Sequence, residues 1–233
     1  MKNMYKKTKG SSAAKAAADA HFNGFKSLIT SNFISKFVFK IFNPANGKIF
    51  ARALDRVQEK PSPTSDKTHI EYDAIIRLLQ SRCPNPPDVV TIAVETKTHL
   101  GNLLQDRKLI GYAGSTDYLF LSVPSTLVLN AYEVIVRKYP TFKQFIGICD
   151  YETGTIVIFP KRQRVDRERT SKLLSKFMIS PKCLPGGNQI YSDFEIAEYQ
   201  ESDDFVEYQG LKVNKKYVHY VRDWHSYHYD GRK

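Results

Sequence analysis

Cysteine is scarce in this chain, tryptophan occurs once, and no apolar run is long. Three cysteines in 233 residues, Cys83, Cys149 and Cys183, are too few and too scattered for a disulfide framework or a zinc knuckle. Free thiols in a reducing cytoplasm are the expectation. His219, His225 and His228 have no neighbouring cysteine and make no zinc-ligand set. With no long apolar span and no signal-peptide pattern, a membrane partner is not expected. Acidic residues are outnumbered, 24 Asp and Glu against 35 Lys and Arg, for a formal net charge of +11 and an isoelectric point near 9.4. That excess favours a polyanionic partner, nucleic acid before membrane, although many merely basic proteins share it.

What the chain does have is core material. At 233 residues and 42% hydrophobic, it suits one mixed α/β domain with terminal additions. The organising stretch is Ile70 to Lys97: IEYDAII, the loop RCPNPPD, then VVTIAVETK. The first segment alternates as a half-buried strand does, and the second is a β-branched apolar run ending abruptly in Glu95, Thr96 and Lys97. Residues two apart on a strand share a face, so Glu95 and Lys97 point the same way. Asp73 lies on the neighbouring strand of the hairpin. Two carboxylates beside an ammonium suit an oxygen-ligand site for a hard cation, Mg²⁺ or Mn²⁺, and hence phosphodiester hydrolysis.

Two alternatives accompany this reading. Tyr72, Ile75, Ile76 and Leu79 also recur at helical spacing, in which case Asp73 is a surface residue and Asp55 the fallback ligand. Asp88 is a rival first ligand, but seven residues of strand at ~3.3 Å each put it roughly 23 Å from Glu95.

Asp73 followed by Glu95-Thr96-Lys97 resembles the D…(D/E)-x-K core of the PD-(D/E)xK nuclease superfamily. The resemblance covers about Ala13 to Pro160 and implies a restriction-endonuclease-like αβββαβ core, a mixed sheet flanked by helices. It further implies that Asp73, Glu95 and the Thr96 carbonyl are metal ligands and that Lys97 assists attack. In part of the superfamily a Gln-x-x-x-Tyr pair on the next helix holds DNA; here Lys108 and Tyr112 stand in those places, with Lys108 replacing the Gln. Thr98 to Pro124 is also similar to the MmcB-like DNA-repair branch, where E-x-K is followed by Asp, Lys and Tyr and by a strand ending in Val-Pro. An acidic residue on the first helix has only Asp19 as counterpart here, and a solvated face explains Asp19 as well.

In chain order, residues 1–12 form a lysine-rich arm without apolar period, and Ala13 to Ser31 reads as the first core helix. FVFKIFN and IFARALDRV read as a hairpin around Asn46-Gly47. After Lys97 a helix is expected to Gly114, packed through Leu100, Leu103, Leu104 and Tyr112. A strand DYLFLSVP, a helix from about Leu127 to Tyr139, and two strands around Glu152-Thr153-Gly154 complete the 13–160 core.

Residues 161–233 read as an extension: a basic helix, an acidic segment and an aromatic-basic tail. Arg162, Arg164, Arg167 and Arg169 are candidate phosphate contacts on that helix, with Leu173, Leu174 and Phe177 on its packing side. A solvated face, or docking against the acidic 193–207 stretch, explains them equally well. The tail interleaves cations with aromatics, which suits stacking on unpaired bases and suits strand pairing or self-packing too. The expected function is a Mg²⁺-dependent DNA endonuclease or exonuclease. The alternatives are a nucleic-acid-binding protein on the same fold with little catalysis, or an interaction protein that binds a partner through its tail.

Overall fold

The computed structural model describes residues 23–24, 32–43, 47–59, 70–80, 88–105, 109–177, 190–195 and 204–229. Nine strands form one mixed sheet: β1 (Ile49–Glu59), β2 (Ile70–Gln80), β3 (Asp88–Thr96), β4 (Tyr118–Val123), β5 (Ile146–Asp150), β6 (Thr155–Phe159), β7 (Ile190–Glu195), β8 (Phe205–Tyr208) and β9 (Leu211–Asn214). Their spatial order is β7-β1-β2-β3-β4-β5-β6-β9-β8. β1, β2 and β3 form an antiparallel meander. The next two neighbours are parallel, β3 with β4 and β4 with β5. Parallel neighbours need crossovers, and the chain supplies them as α2 (Leu100–Gln105) with the 3₁₀ turn Leu109–Tyr112, then α3 (Val128–Lys138).

Each sheet face is buried. One lies under α1 (Phe33–Ile41), whose Phe33 and Phe37 meet Phe120 edge-on at 5.1 and 5.7 Å. The other carries Ile75, Ala93, Leu119, Leu121 and Ile148 beneath α3, α4 (Arg167–Lys176) and α5 (Val218–Tyr229). Among the described residues no helix is long and apolar enough to cross a membrane.

Residues 70–80 are a strand, as β-branched content and the Pro-rich loop after them suggest, so the helical alternative and its fallback through Asp55 lapse. Asp88 pairs with Gln80 at the far end of β3 from Glu95. The expected first strand, FVFKIFN, is instead the end of α1. Read from Phe33, the buried residues Phe33, Ile34, Phe37 and Val38 form a helical stripe, while Phe39 and Lys40 face solvent. The reading of Ala13 to Ser31, Asp19 included, lies outside the described residues except for the helical pair Asn23 and Gly24.

The segment 161–233 is not an appendage. It contributes β7 at one edge of the sheet and β9 and β8 at the other, and α5 packs on α3 through Tyr132, Trp224 and His225. Cys149 is a buried free thiol, pushed up to about 12 chiefly by burial; Cys83 and Cys183 lie outside the described residues.

One close approach in the centre of the sheet is testable. Gly147 sits directly across from Phe120, and a Cβ there would stand 2.5 Å from the Phe120 Cε1 and 2.8 Å from the Pro160 Cδ. Phe120 is fully buried between α1 and the sheet, so its ring has nowhere to go. Gly147→Ala is therefore expected to destabilise the fold by about 1–3 kcal/mol through overpacking, read from the urea midpoint. An unchanged midpoint would show that the ring relaxes freely.

Candidate functional site

Glu95 comes to the site by strand alternation: Ala93, two residues earlier, belongs to the core beneath α3 to α5, so Glu95 faces that layer too. β2 arrives differently. Ala74, Ile76 and Leu78 join the core under α1, whereas Tyr72 joins the other core together with Ile75, so strict alternation is broken at Asp73. There the ladder also ends. The register stops at Ala74 opposite Val94, and the Thr96 amide donates to the Asp73 carboxylate at 2.7 Å instead of to a backbone carbonyl of β2. The two strands part, and the Asp73 side chain bridges the gap.

Asp73, Glu95 and Lys97 converge at that fork. The Lys97 ammonium stands 2.6 Å from Glu95 Oε1 and is only 8% exposed. Glu95 Oε2 is 2.7 Å from the Tyr112 hydroxyl, which also lies 2.7 Å from the Glu71 carbonyl. Burial raises the Glu95 carboxyl to about 7, and the neighbouring Asp73 charge adds to this; the Lys97 charge and the hydrogen bonds from Lys97 and Tyr112 oppose them. A tyrosine hydroxyl has a single hydrogen, so it goes either to an ionised Glu95 or to the Glu71 carbonyl, in which case a protonated Glu95 donates to the phenol oxygen.

Tyr112 thus belongs to the carboxylate site and is not a DNA contact. It is fully buried, with its ring 4.6 Å from that of Tyr72. Where a continuous helix to Gly114 is expected, the described residues show α2 over Leu100–Gln105 and a 3₁₀ turn over Leu109–Tyr112. The short turn aims Tyr112 inward while Leu100 and Leu104 face solvent. Lys108 lies outside the described residues.

The donor chemistry suits a hard divalent cation. Mg²⁺ is typically held by one or two carboxylates and keeps several waters, and here one carboxylate raises the proton affinity of another, a conflict that a cation relieves. Among the described residues no cluster of three or more Asp, Glu, His or Cys is able to hold a metal, so those residues offer two carboxylates here. Both Glu95 oxygens already have partners, Lys97 and Tyr112, so a cation held by Glu95 would compete with one of them.

No known relative decides the matter. The chain matches no protein-family model, no curated protein and no solved structure. The site therefore rests on its own geometry.

The four arginines separate into two kinds. Arg162 gives its Nε and Nη2 to Asp117 at 2.8 and 2.7 Å, and Asp117 in turn accepts from the Thr91 amide and hydroxyl. Arg169 donates to the Ala113 and Gly111 carbonyls at 2.9 and 3.2 Å, locking α4 to the turn that carries Tyr112. These two hold the fold. Arg164 and Arg167 are exposed. The helix is also shorter than expected, because Asp166 caps it by accepting from the Glu168 and Arg169 amides. Residues 161–166 are non-helical, anchored where Gln163 pairs with Asp117 and Gly114. Asp204, of the acidic stretch, pairs with Lys215 and not with this helix.

Neutralising Arg164 and Arg167 together is expected to flatten the salt dependence of DNA binding, by up to roughly 0.9 log units for each phosphate no longer neutralised, without altering the melting temperature. Arg169→Ala is expected to cost about 1.5–3 kcal/mol of stability, as the removal of charged hydrogen bonds does. Anisotropy across a salt series and thermal melts separate the two roles. An unchanged slope for the double variant makes Arg164 and Arg167 a solvated face.

Proposed function

We propose that this chain is a divalent-cation-dependent nuclease that hydrolyses phosphodiester bonds of DNA, as an endonuclease or exonuclease. The observation that carries the reading is the convergence of Asp73, Glu95 and Lys97 where β2 and β3 part, with Glu95 poised near neutrality. Helix α1, the β1-β2-β3 meander, α2 and the parallel β4 follow the αβββαβ order of a restriction-endonuclease-like core, which supports the finer reading of the sheet. The excess of cations suits the substrate.

A bound Mg²⁺ or Mn²⁺ supplies a Lewis acid for a phosphate oxygen and a water of lowered pKa. The chain's own residues do the rest. Asp73 and Glu95 provide oxygen donors, and the Thr96 amide holds Asp73 in place. Lys97, beside Glu95, would be placed to orient the attacking water or to meet the developing negative charge. Tyr112 and the Glu71 carbonyl fix the rotamer of Glu95.

Purified protein is expected to cleave DNA with Mg²⁺ or Mn²⁺ and not with a chelator. Asp73→Asn, which keeps an acceptor for the Thr96 amide, is expected to remove cleavage while the protein stays folded. Absence of cleavage with every divalent ion would leave the second reading, a nucleic-acid-binding protein without catalysis. One observation favours that alternative: both Glu95 oxygens are satisfied within the chain, by Lys97 and Tyr112, as in a structural ion pair.

A further inference from the structure

A cavity of about 450 Å³ lies at the mouth of the sheet, with Ser125, Thr153 and Thr155 below and Lys216, Tyr217 and Tyr220 above. Its size falls in the ~300–1,000 Å³ range of small-ligand sites. We propose that this cavity receives one unpaired nucleobase of a nucleic-acid strand crossing the carboxylate site, stacked on a tyrosine and read by its amino group. The proposal rests on the nuclease reading for its substrate, and it adds where the strand runs and what the site reads.

Placement comes first. β3, β4 and β5 are mutually parallel, so their carboxyl ends share one edge of the sheet. Glu95 and Lys97 close β3, Ser125 follows β4, and Thr153 follows β5. Backbone bonds from Lys97 to Ser122 and from Tyr151 to Val123 stitch these ends together. Ala93, on the strand face of Glu95, shares a core with Val128 and Val221 of the two helices that flank the cavity, so both open on one layer. At ~4.8 Å between neighbouring strands, the β5 end stands ~10 Å from the β3 end. A few nucleotides of one strand cover that span.

The chemistry of the floor selects the ligand. Asp150 is fully buried and accepts from the Ser125 hydroxyl at 2.6 Å, the Thr153 hydroxyl at 3.0 Å and the Glu152 amide at 2.9 Å. A carboxylate only accepts, so the protons of Ser125 and Thr153 are committed to it. At the 2.8 Å contact between Thr153 and Thr155, the remaining hydrogen is that of Thr155. All three hydroxyl protons therefore run inward, and because the Thr155 amide also donates to Thr153 at 3.2 Å, the lone pairs left to face outward are those of Ser125 and Thr155. The floor takes a donor. Cytosine presents an amino group where thymine presents a carbonyl, and the carbonyl finds no donor on these three hydroxyls.

The rim supplies the other two contacts. Tyr220 is 49% exposed, and its ring lies 3.8 Å from that of His219 and 6.4 Å from that of Tyr217, an aromatic surface of the kind on which unpaired bases stack irrespective of sequence. Lys216 adds an exposed cation beside them for the phosphate.

The test uses fluorescently labelled oligo-dC and oligo-dT and the full chain, with chelator present so that nothing is cleaved. Oligo-dC is expected to bind more tightly than oligo-dT. Tyr220→Ala is expected to weaken oligo-dC binding at least about five-fold, the lower bound for losing one stacked base. Because Tyr220 is half exposed, this variant is expected to melt with the wild type. Equal affinity for the two oligonucleotides overturns the amino-group readout, and unchanged affinity in Tyr220→Ala overturns the cavity as a strand site. Binding abolished in Tyr220→Ala, in a protein that never cleaves DNA with any divalent ion, would retain this site and discard the nuclease reading.

Discussion

Lys97→Ala is expected to lower metal-dependent DNA hydrolysis by about 10²-fold or more, the usual contribution of general acid–base help, with DNA affinity nearly unchanged. The reason is placement. Lys97 follows directly on β3, its amide bonded to the Ser122 carbonyl and its ammonium on Glu95, so it is held inside the fork and not on the cationic surface. A group there contributes little to holding a long polyanion, and its removal falls on the chemical step. The variant also removes the charge that draws the Glu95 carboxyl down, so Glu95 moves further up and is a poorer cation ligand at neutral pH. Raising the pH is therefore expected to recover part of the activity. Single-turnover cleavage against pH, beside anisotropy for binding, reads both effects. Equal turnover in wild type and variant would give Lys97 a structural role only and favour the binding-protein reading.

The second large effect is on stability. Glu95 has an ordinary carboxyl value of 4.5 when the chain is unfolded and about 7 when folded. Between those values the folded chain holds a proton that the unfolded chain has released, so stability falls as pH rises from about 4.5 to 7 and levels off above. The shift corresponds to something on the order of 3 kcal/mol. Glu95→Gln mimics the protonated carboxyl, keeping an acceptor for Lys97 and a donor for Tyr112, but it does not titrate. The variant is expected to lack that falling segment and to be the more stable protein at pH 8. Urea unfolding of both proteins across pH isolates Glu95, because every other titrating group is shared. Parallel curves would mean that Glu95 is ionised throughout, with Tyr112 donating to it.

The carboxylate site is legible in the sequence because its members obey a local rule. Glu95 and Lys97 are two apart on a strand, and Asp73 lies on the strand before it in a hairpin. The roles of Arg162 and Arg169 are hidden for the opposite reason. Their density in KRQRVDRERT suggests a phosphate-binding face, but their partners, Asp117 and the Gly111 and Ala113 carbonyls, lie more than forty residues earlier. Composition carries no information about such pairings. Tyr112 stands out in the sequence, but its partner does not: a 3₁₀ turn directs its hydroxyl to Glu95.

By itself the sequence determined the strands that alternate or run apolar, β2 to β6, the helix Val128–Lys138, and the charge excess that favours a polyanion. Period and propensity act within a few residues, and these elements need nothing more. Only the tertiary structure decided that 161–233 completes the sheet, that strand alternation breaks at Asp73, and that the carboxyl ends of β3, β4 and β5 line one edge. Each of these depends on which distant strands pair and in what register. The proton affinity of Glu95 is of the same kind, since burial and the nearness of Asp73 exist only once the sheet has closed around them.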